Sequence, residues 1–327
     1  MRTTQQTTQT GFTLIELMIA LVIGLLATGA MLKVYVDSSR LYRFNEGLAR
    51  IQENGRFGLE FIRRDARMAG FWGCYHGADL TNRISPGSTG YISYESNDIT
   101  GTNNDGLNSS DSVTFSGAGN SVATVSSNMT SADSAIPISS TGNFELGESL
   151  LISDCETADI FQLTSIGGSA PSLTLEHDTD SNTSPDLSKA YASGTRLYAA
   201  RQITFCIAPG ADTAQPALRR LTNPTSSQTC SDGEELVEGI ENMQILFGED
   251  TDGDGTANRY LSIGDDDLVP NMDRVVSVRI FLLARSLNNN LTTELSPYYF
   301  VDQKIIPTDK RLRKVFTTTI TLRNKTE

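Results

Sequence analysis

The sequence predicts an α+β protein in which one long N-terminal α-helix carries a large, antiparallel β-rich globular head. Three observations support this prediction. An apolar run follows a short polar leader, a stretch with helical periodicity follows that run, and the remainder consists of short alternating runs separated by turn residues. With 327 residues, of which 38% are hydrophobic, the chain is long enough to bury a core in such a head.

The N-terminus divides into a polar leader, residues 1–11, and an apolar segment, residues 12–36, that can span a membrane. The 21 residues from Phe12 onward carry one charge, Glu16, and a helix of that length spans about 30 Å, the thickness of a bilayer core. In an ordinary secretory signal the small-residue cleavage site follows the apolar region. Here Gly11 precedes it, so cleavage would leave the helix on the mature protein.

Glu16 is the unusual residue of this segment. A carboxylate at the centre of a membrane helix costs about 2.5–3.5 kcal/mol on insertion scales, and less near the membrane edge. Glu16 lies four residues after Phe12 and still needs a partner. The amino group of a chain cut before Phe12 is a suitable cation, whether it belongs to the same chain or to a neighbour in an assembly.

Residues 37–72 are predicted to continue the helix in amphipathic form, so that it runs from about 12 to 70. Glu46 and Arg50 form an i, i+4 pair, and the glycines near 54–58 predict a bend or a frayed turn. The apolar stripe suits packing on the head and contact with other subunits equally well. It consists of Leu41, Phe44, Leu48, Ile51, Leu59, Ile62, Ala66 and Ala69.

Residues 73–327 are predicted to form the head. Residues 71–327 carry 17 basic and 33 acidic side chains, a net charge of −16, which argues against binding to nucleic acid or to an anionic membrane surface. Residues 96–143 are rich in Ser, Thr, Asn, Asp and Gly. They are either a floppy insert or, as we favour, part of a β subdomain with long surface loops.

The segment G-F-T-L-I-E-L-M-I-A at residues 11–20 resembles the type III signal of type IV prepilins. The resemblance implies that a prepilin peptidase cuts between Gly11 and Phe12 and that Phe12 becomes N-methylated. It also implies that the Glu16 carboxylate neutralises the N-terminus of a neighbouring subunit during assembly. The plainer alternative is a signal anchor with a chance glutamate.

The order of the later motifs resembles the PilW family of minor pilins. Trp72–Cys74 follows the helix, residues 235–255 precede a strong strand at 274–286, and a β-branched strand at 315–324 closes the chain. The resemblance implies a pilin-like fold and a non-enzymatic subunit that helps to initiate type IV pilus assembly, within the machinery of twitching motility. It also implies a single-pass protein of the inner membrane, with its head in the periplasm, and later of the cell-surface pilus.

The partners implied by this resemblance are other minor pilins (FimU-, PilV-, PilX- and PilE-like), the major pilin, a calcium-dependent tip adhesin, the prepilin peptidase and the inner-membrane assembly platform. A minor pseudopilin of a type II secretion system, of the J type, is the nearest alternative. A tip subunit that binds DNA or a surface is another, with the basic cluster Lys310, Arg311, Arg313 and Lys314 as its candidate site. A solvated loop is the plainer interpretation of that cluster.

A membrane-anchored enzyme is disfavoured, because the chain lacks the common nucleotide-binding and catalytic motifs. His76 and His177 are isolated in the sequence and are expected at the surface. No catalytic residue is therefore predicted.

An acidic loop is the candidate metal site. Asp250, Asp252 and Asp254 form D-x-D-x-D-G, and with the Thr256 carbonyl and Asn258 they offer most of the six to eight oxygens that calcium requires. The EF-hand pattern fails at its twelfth position, which is Leu261 instead of Glu, so that one of Asp265, Asp266 and Asp267 would have to fold back. The alternative is a solvated hairpin tip without a metal.

Four cysteines allow three disulfide pairings, and an extracytoplasmic head lies where disulfides persist. Cys206 with Cys230 closes a short loop and is favoured, which leaves Cys74 with Cys155. Free buried cysteines are the alternative.

Overall fold

The computed structural model describes residues 11–74, 80–88, 91, 98–139, 144–169, 171–211, 215–225 and 227–325. The predicted leader, apart from Gly11, and His76 lie outside the described residues. The chain begins with α1 (Leu14–Ala66), a helix of 53 residues that is about 80 Å long at 1.5 Å per residue. It ends four residues before the predicted limit of 70.

The two halves of α1 have different surroundings. Its first half is exposed throughout, including the apolar side chains between Leu14 and Val36. The first fully buried residue is Ile51, and the buried face continues through Ile62 to Ala66. The head therefore packs against one face of the second half of α1 and leaves the first half projecting.

The glycines of the second half bring α1 close to the head. A Cβ atom at Gly55 would lie 2.3 Å from the ring of Phe316, and one at Gly58 would lie 3.0 Å from Leu282. The helix passes through residues 54–58 without a break, so the predicted fray is wrong. Packing of the head against the bare glycine surface outweighs the intrinsic helix weakness of glycine.

Eleven strands of the described chain form one sheet. They are β1 (Leu80–Asn82), β2 (Ile99–Thr102), β3 (Ser112–Val125), β4 (Ile136–Ser139), β5 (Ser149–Ser153), β6 (Ala158–Gln162), β7 (Ser165–Ser169), β8 (Ser172–Glu176), β9 (Arg196–Pro209), β10 (Pro216–Thr222) and β11 (Glu234–Glu238). The long strands β3 and β9 pair antiparallel and form the spine. On its other side β9 pairs with β5 and then β10, and β3 pairs with β2 and then β4.

The second sheet has four antiparallel strands in the order β13-β12-β14-β17. Its strands are β12 (Ile240–Glu249), β13 (Arg259–Ser262), β14 (Val275–Arg285) and β17 (Arg313–Thr321), and a separate hairpin consists of β15 (Tyr298–Phe300) and β16 (Gln303–Ile305). Strands β14 and β17 lie where the sequence predicts strands, at 274–286 and 315–324. The fold class predicted from the sequence is thus confirmed.

Two large hydrophobic clusters divide the head. One joins the buried face of α1 to the four-stranded sheet and to the neighbouring ends of β3 and β9, through residues such as Ile62, Phe205 and Ile280. The other lies farther along β3 and β9 and includes Ile138 and Phe161. Ordered strands, β2 to β4, run through the Ser- and Thr-rich region 96–143, so the β-subdomain interpretation is correct for the part of that region that the structure describes.

Candidate functional site

The start of α1 forms a capping box between Thr13 and Glu16. The Glu16 carboxylate accepts hydrogen bonds from the Thr13 N–H at 3.0 Å and from the Thr13 hydroxyl at 2.9 Å, and the Glu16 N–H donates to Thr13 Oγ1 at 3.3 Å. The box satisfies N–H groups that would otherwise lack partners at the helix start. Glu16 therefore has a partner within its own helix.

Thr13 is not among the residues predicted to contact Glu16, although the T-x-x-E spacing is the known signature of a capping box. Contact between Glu16 and the N-terminus of a neighbour remains a prediction. The two roles are compatible, because the contacts described use only one of the two carboxylate oxygens, Oε2.

The exposed half of α1 is apolar enough to cross a membrane. It contains an 18-residue window with a mean hydropathy of 2.3, and none of that window is buried by the rest of the chain. Phe12 is 89% exposed beside the predicted cleavage point. The helix thus presents a large apolar surface that the described residues of the head leave uncovered.

The end of α1 is tied to the C-terminal part of the chain. Trp72 Nε1 donates to Asp98 at 2.8 Å, and Lys325 Nζ lies 3.1 Å from the other oxygen of the same carboxylate. Asn324 donates to the carbonyl of Ala69 at 2.9 Å. These contacts fix the direction in which the helix leaves the head, and nothing in the local sequence pattern indicates them.

Both disulfides have the pairing that the sequence analysis favoured. Cys74 is bonded to Cys155 across 81 residues, and Cys206 is bonded to Cys230 across 24. The first joins the segment after α1 to the turn between β5 and β6, and the second joins β9 to the loop before β11. Covalent closure of these loops restricts the unfolded chain and stabilises the fold.

In the acidic loop, the carboxylate oxygens of Asp250, Asp252 and Asp254 lie within 4.8 Å of one another. The Asp250 carboxylate accepts hydrogen bonds from the N–H groups of Gly253 and Gly255, each at 2.7 Å. Burial acts to raise the pKa of Asp250, but these and neighbouring hydrogen bonds outweigh burial and hold the pKa below its usual value. The three carboxylates thus converge on one point of the loop that follows β12.

The other predicted ligands are placed differently. Asn258 Oδ1 accepts hydrogen bonds from the N–H and hydroxyl of Thr251, and its amide nitrogen faces Asp252 at 3.3 Å. Asp267 pairs with Arg259 at 3.2 Å and therefore does not replace the missing twelfth ligand. The structure brings three of the candidate ligands together and gives Asn258 and Asp267 other partners.

The basic cluster at 310–314 is largely used inside the head. Arg313 pairs with Glu241 at 2.7 Å and with Asp309 at 2.6 Å, and its hydrogen bonds hold the pKa of Asp309 below the usual value. Arg311 donates to the carbonyls of Ser286 and Leu287. A nucleic-acid surface built on four basic side chains is therefore not supported.

His177 was expected at the surface, and that expectation is wrong. Its side chain is 2% exposed, its ring stacks edge-on against Phe161 at 5.6 Å, and Nε2 lies 3.2 Å from the Ser134 carbonyl. The residue follows β8 directly, and the second hydrophobic cluster covers it.

Comparison with known proteins supports the resemblance at both ends of the chain. Residues 204–324 match the family model of type IV pilus-assembly protein W. The PilW resemblance is confirmed over these residues. Residues 7–32 match the prokaryotic N-terminal methylation motif. The PilW match runs from the second half of β9 to the residues just after β17, and therefore contains the whole four-stranded sheet.

A type IV-like pilin from Thermus thermophilus is similar in structure to part of the chain, with 12% sequence identity and a TM-score of 0.24. The match covers 56% of this chain and 87% of that pilin. No curated protein matches the chain. The family matches support the role of a type IV pilus-assembly component with a membrane-anchored N-terminal helix.

Proposed function

We propose that the protein is a minor pilin that helps to initiate type IV pilus assembly and forms part of the pilus tip together with other minor pilins and a tip adhesin. The observation that supports this most is the projecting half of α1, an apolar surface that the head does not cover. The membrane covers it before assembly, and pilin helices cover it afterwards. Reburial of that surface provides the driving force for partner binding.

A large head suits a subunit present in few copies at a tip better than a repeating subunit, because each head must fit beside its neighbours. The head contains two disulfides and two large hydrophobic clusters, which favour a rigid structural part. We propose no catalytic role for it. The head faces the periplasm before assembly in this proposal.

The test is Glu16→Ala in cells, with Thr13→Ala as the matched control. Glu16→Ala removes the carboxylate, whereas Thr13→Ala removes the capping hydroxyl and keeps the carboxylate. Membrane insertion and cleavage before Phe12 should persist in both variants. Glu16→Ala should reduce surface pili severalfold, and Thr13→Ala should leave most of them. Equal pilus numbers in Glu16→Ala and wild type would contradict the proposal. An equal loss of surface pili in Glu16→Ala and Thr13→Ala would mean that Glu16 acts only as a helix cap.

We also propose that calcium binds the acidic loop, with Asp250, Asp252 and Asp254 as ligands. Carboxylates held within 4.8 Å of one another repel when charged, and a divalent cation relieves that repulsion. The hydrogen bonds of Asp250 leave a lone pair on Oδ2, whereas Oδ1 accepts the N–H groups of both Asp252 and Gly253. The ion would join the end of β12 to the turn before β13 and stabilise the sheet.

Calcium binding can be measured by thermal unfolding of the full-length protein in detergent, with calcium or with a chelator. At a concentration 100 times the Kd, calcium should stabilise the protein by about 2.7 kcal/mol, which raises the Tm by roughly 5–10 °C. The double variant Asp252→Asn, Asp254→Asn should lose this response. The control Asp178→Asn, Asp180→Asn, on an exposed turn, should keep it. An unchanged Tm in the wild type would contradict the proposal.

A further inference from the structure

The last strand of the four-stranded sheet, β17, has an open edge. It lies at the end of the strand order and pairs with β14 over nine consecutive residues without a bulge. Two hydrogen bonds continue this pairing beyond the ends of β17. The carbonyl of Val276 accepts the N–H of Leu322, and the carbonyl of Leu312 accepts the N–H of Ser286. Hydrogen-bonded and non-bonded positions alternate along an antiparallel pair, so the even-numbered residues of β17 bond to β14.

The odd-numbered residues of β17 therefore direct their N–H and C=O groups away from β14. These residues are Arg313, Val315, Thr317, Thr319 and Thr321, and the three threonines are exposed. Within the described part of the chain, no strand pairs with this side of β17. Such a row of backbone groups is a template for another strand.

The other outer strands of the described sheets are all protected in some way. β1, β2 and β13 have three or four residues, β7 contains Gly167 and Gly168, and β11 carries three glutamates. The loop before β3 also covers the first half of β12, where Asp111 accepts the Ile245 N–H at 2.8 Å. Short length, glycine and charge are the usual protections of an edge. β17 has nine residues, no glycine or proline, and lysine only at its start.

Charge indicates what can pair there. The chain from 313 to 325 has four basic residues and no acidic one, within a head of net charge −16. Two of the four, Arg313 and Lys325, are ion-paired within the head, while Lys314 at the start of β17 is exposed. Arg63 donates to the Thr318 hydroxyl at 2.9 Å and Arg279 donates to the Thr319 hydroxyl at 3.3 Å. The open edge is therefore flanked by cations on both faces of the sheet.

A second copy of this chain fits the edge poorly. Antiparallel pairing of two β17 strands about Thr318 brings Lys314 of each strand beside the basic residues that follow Thr321 of the other, and like charges in opposed positions destabilise a strand pair. An acidic strand meets the same cations favourably. We propose that the open edge of β17 binds an acidic extended segment of another pilus subunit, which adds a fifth strand to the sheet.

This inference rests on the proposed function for the identity of the partner. The edge itself can be tested with a synthetic peptide of alternating threonine and valine that has glutamate at each end. The same peptide with lysine at each end is the control. Binding to the full-length protein in detergent is followed by amide hydrogen exchange. The acidic peptide should slow exchange at Val315, Thr317, Thr319 and Thr321 at least tenfold, and the basic peptide should not.

Two variants separate backbone pairing from side-chain contact. Thr319→Pro removes an N–H that makes no bond within the sheet and should raise the peptide Kd at least tenfold, whereas Thr319→Ala keeps the N–H and should change it less than twofold. Lys314→Glu leaves the backbone intact and should raise the Kd for the acidic peptide about two- to fivefold. It therefore tests the proposal even if the proline variant unfolds.

Three results would overturn the inference. They are no protection of β17 by the acidic peptide, equal protection by both peptides, or a dimer of the free protein that Thr319→Pro disrupts, which would make a second copy the occupant. The N-terminus of the same preparation is determined by mass spectrometry. A chain not cut before Phe12 contradicts the proposed function, whereas a cut chain with an unprotected β17 contradicts only the inference about the edge.

Discussion

The two halves of α1 have opposite relations to solvent. The first half is nearly all apolar and fully exposed, while the second half carries most of the charges of the helix and packs one face against the head. The glycines follow the same division. A Cβ at Gly24 or Gly29 meets no atom within 4 Å, but one at Gly55 meets the ring of Phe316.

One continuous helix therefore lies in two different environments, the surface of the head and the space beyond it. The second half belongs to the fold of the head, so substitutions there should change the stability of the single protein. The first half has no partner within the described chain, so substitutions there should change insertion and assembly instead. The only tryptophan, Trp72, is 5% exposed just after the helix, and its fluorescence reports unfolding of the head.

The largest effect is expected for Ile62→Ala. Ile62 is fully buried in the cluster between α1 and the four-stranded sheet, and loss of such a side chain costs about 2–5 kcal/mol. Ile19→Ala, in the exposed half, is the control and should leave the free energy of unfolding unchanged. Chemical denaturation followed by Trp72 fluorescence measures both variants. Equal stability of the two variants would show that the two halves of α1 do not differ in their contribution to the stability of the head.

Gly55→Ala should destabilise the protein less. The new Cβ would lie 2.3 Å from the Phe316 ring, and overpacking of this kind costs about 1–3 kcal/mol. The higher helix propensity of alanine returns up to about 1 kcal/mol. Gly24→Ala gains the same propensity without the contact and should not lower the midpoint of denaturation. A more stable Gly55→Ala variant would show that the close approach is unimportant.

Asn54→Ala should have a smaller effect again. Asn54 Nδ2 donates to the Glu238 carbonyl at 2.8 Å, and one such hydrogen bond contributes about 1 kcal/mol. Asn45→Ala, on the exposed face, serves as the control. The difference between the two midpoints gives the contribution of this contact, and no difference would mean that the hydrogen bond of Asn54 does not stabilise the attachment of α1.

The smallest effect is expected for the pair Glu46 and Arg50. The side chains meet at 2.9 Å but are 45% and 62% exposed. A double-mutant cycle with alanine should give a coupling energy of about 0.3–0.5 kcal/mol, and less in high salt. A coupling above 1 kcal/mol would place this pair among the contacts that hold the helix to the head.

Much of this architecture follows from sequence because it depends on local pattern. The apolar run and the helical periodicity predict α1, and the strands predicted at 274–286 and 315–324 are β14 and β17. The pairing of Cys206 with Cys230 follows from loop length. The glycines near 54–58 predict a frayed turn, and that prediction is wrong. Only the packed structure reveals that the Phe316 ring occupies the space beside Gly55.

The rest depends on contacts between distant residues. Lys325 reaches Asp98, and Arg313 reaches Glu241 across the sheet. No spacing in the chain indicates either pair, so the basic cluster was read as a surface feature. In the candidate site, the segment from Gly11 to Glu16 was identified by motif. The capping role of Thr13 was missed although its signal was present.

The most direct test of the account is the mass of the mature N-terminus. The protein is extracted from membranes of cells with and without the prepilin peptidase, and its N-terminal peptide is sequenced by mass spectrometry. The account predicts a chain that begins at N-methylated Phe12 when the peptidase is present and an uncut chain when it is absent. A chain that still carries residues 1–11 in the presence of the peptidase would contradict the pilin assignment.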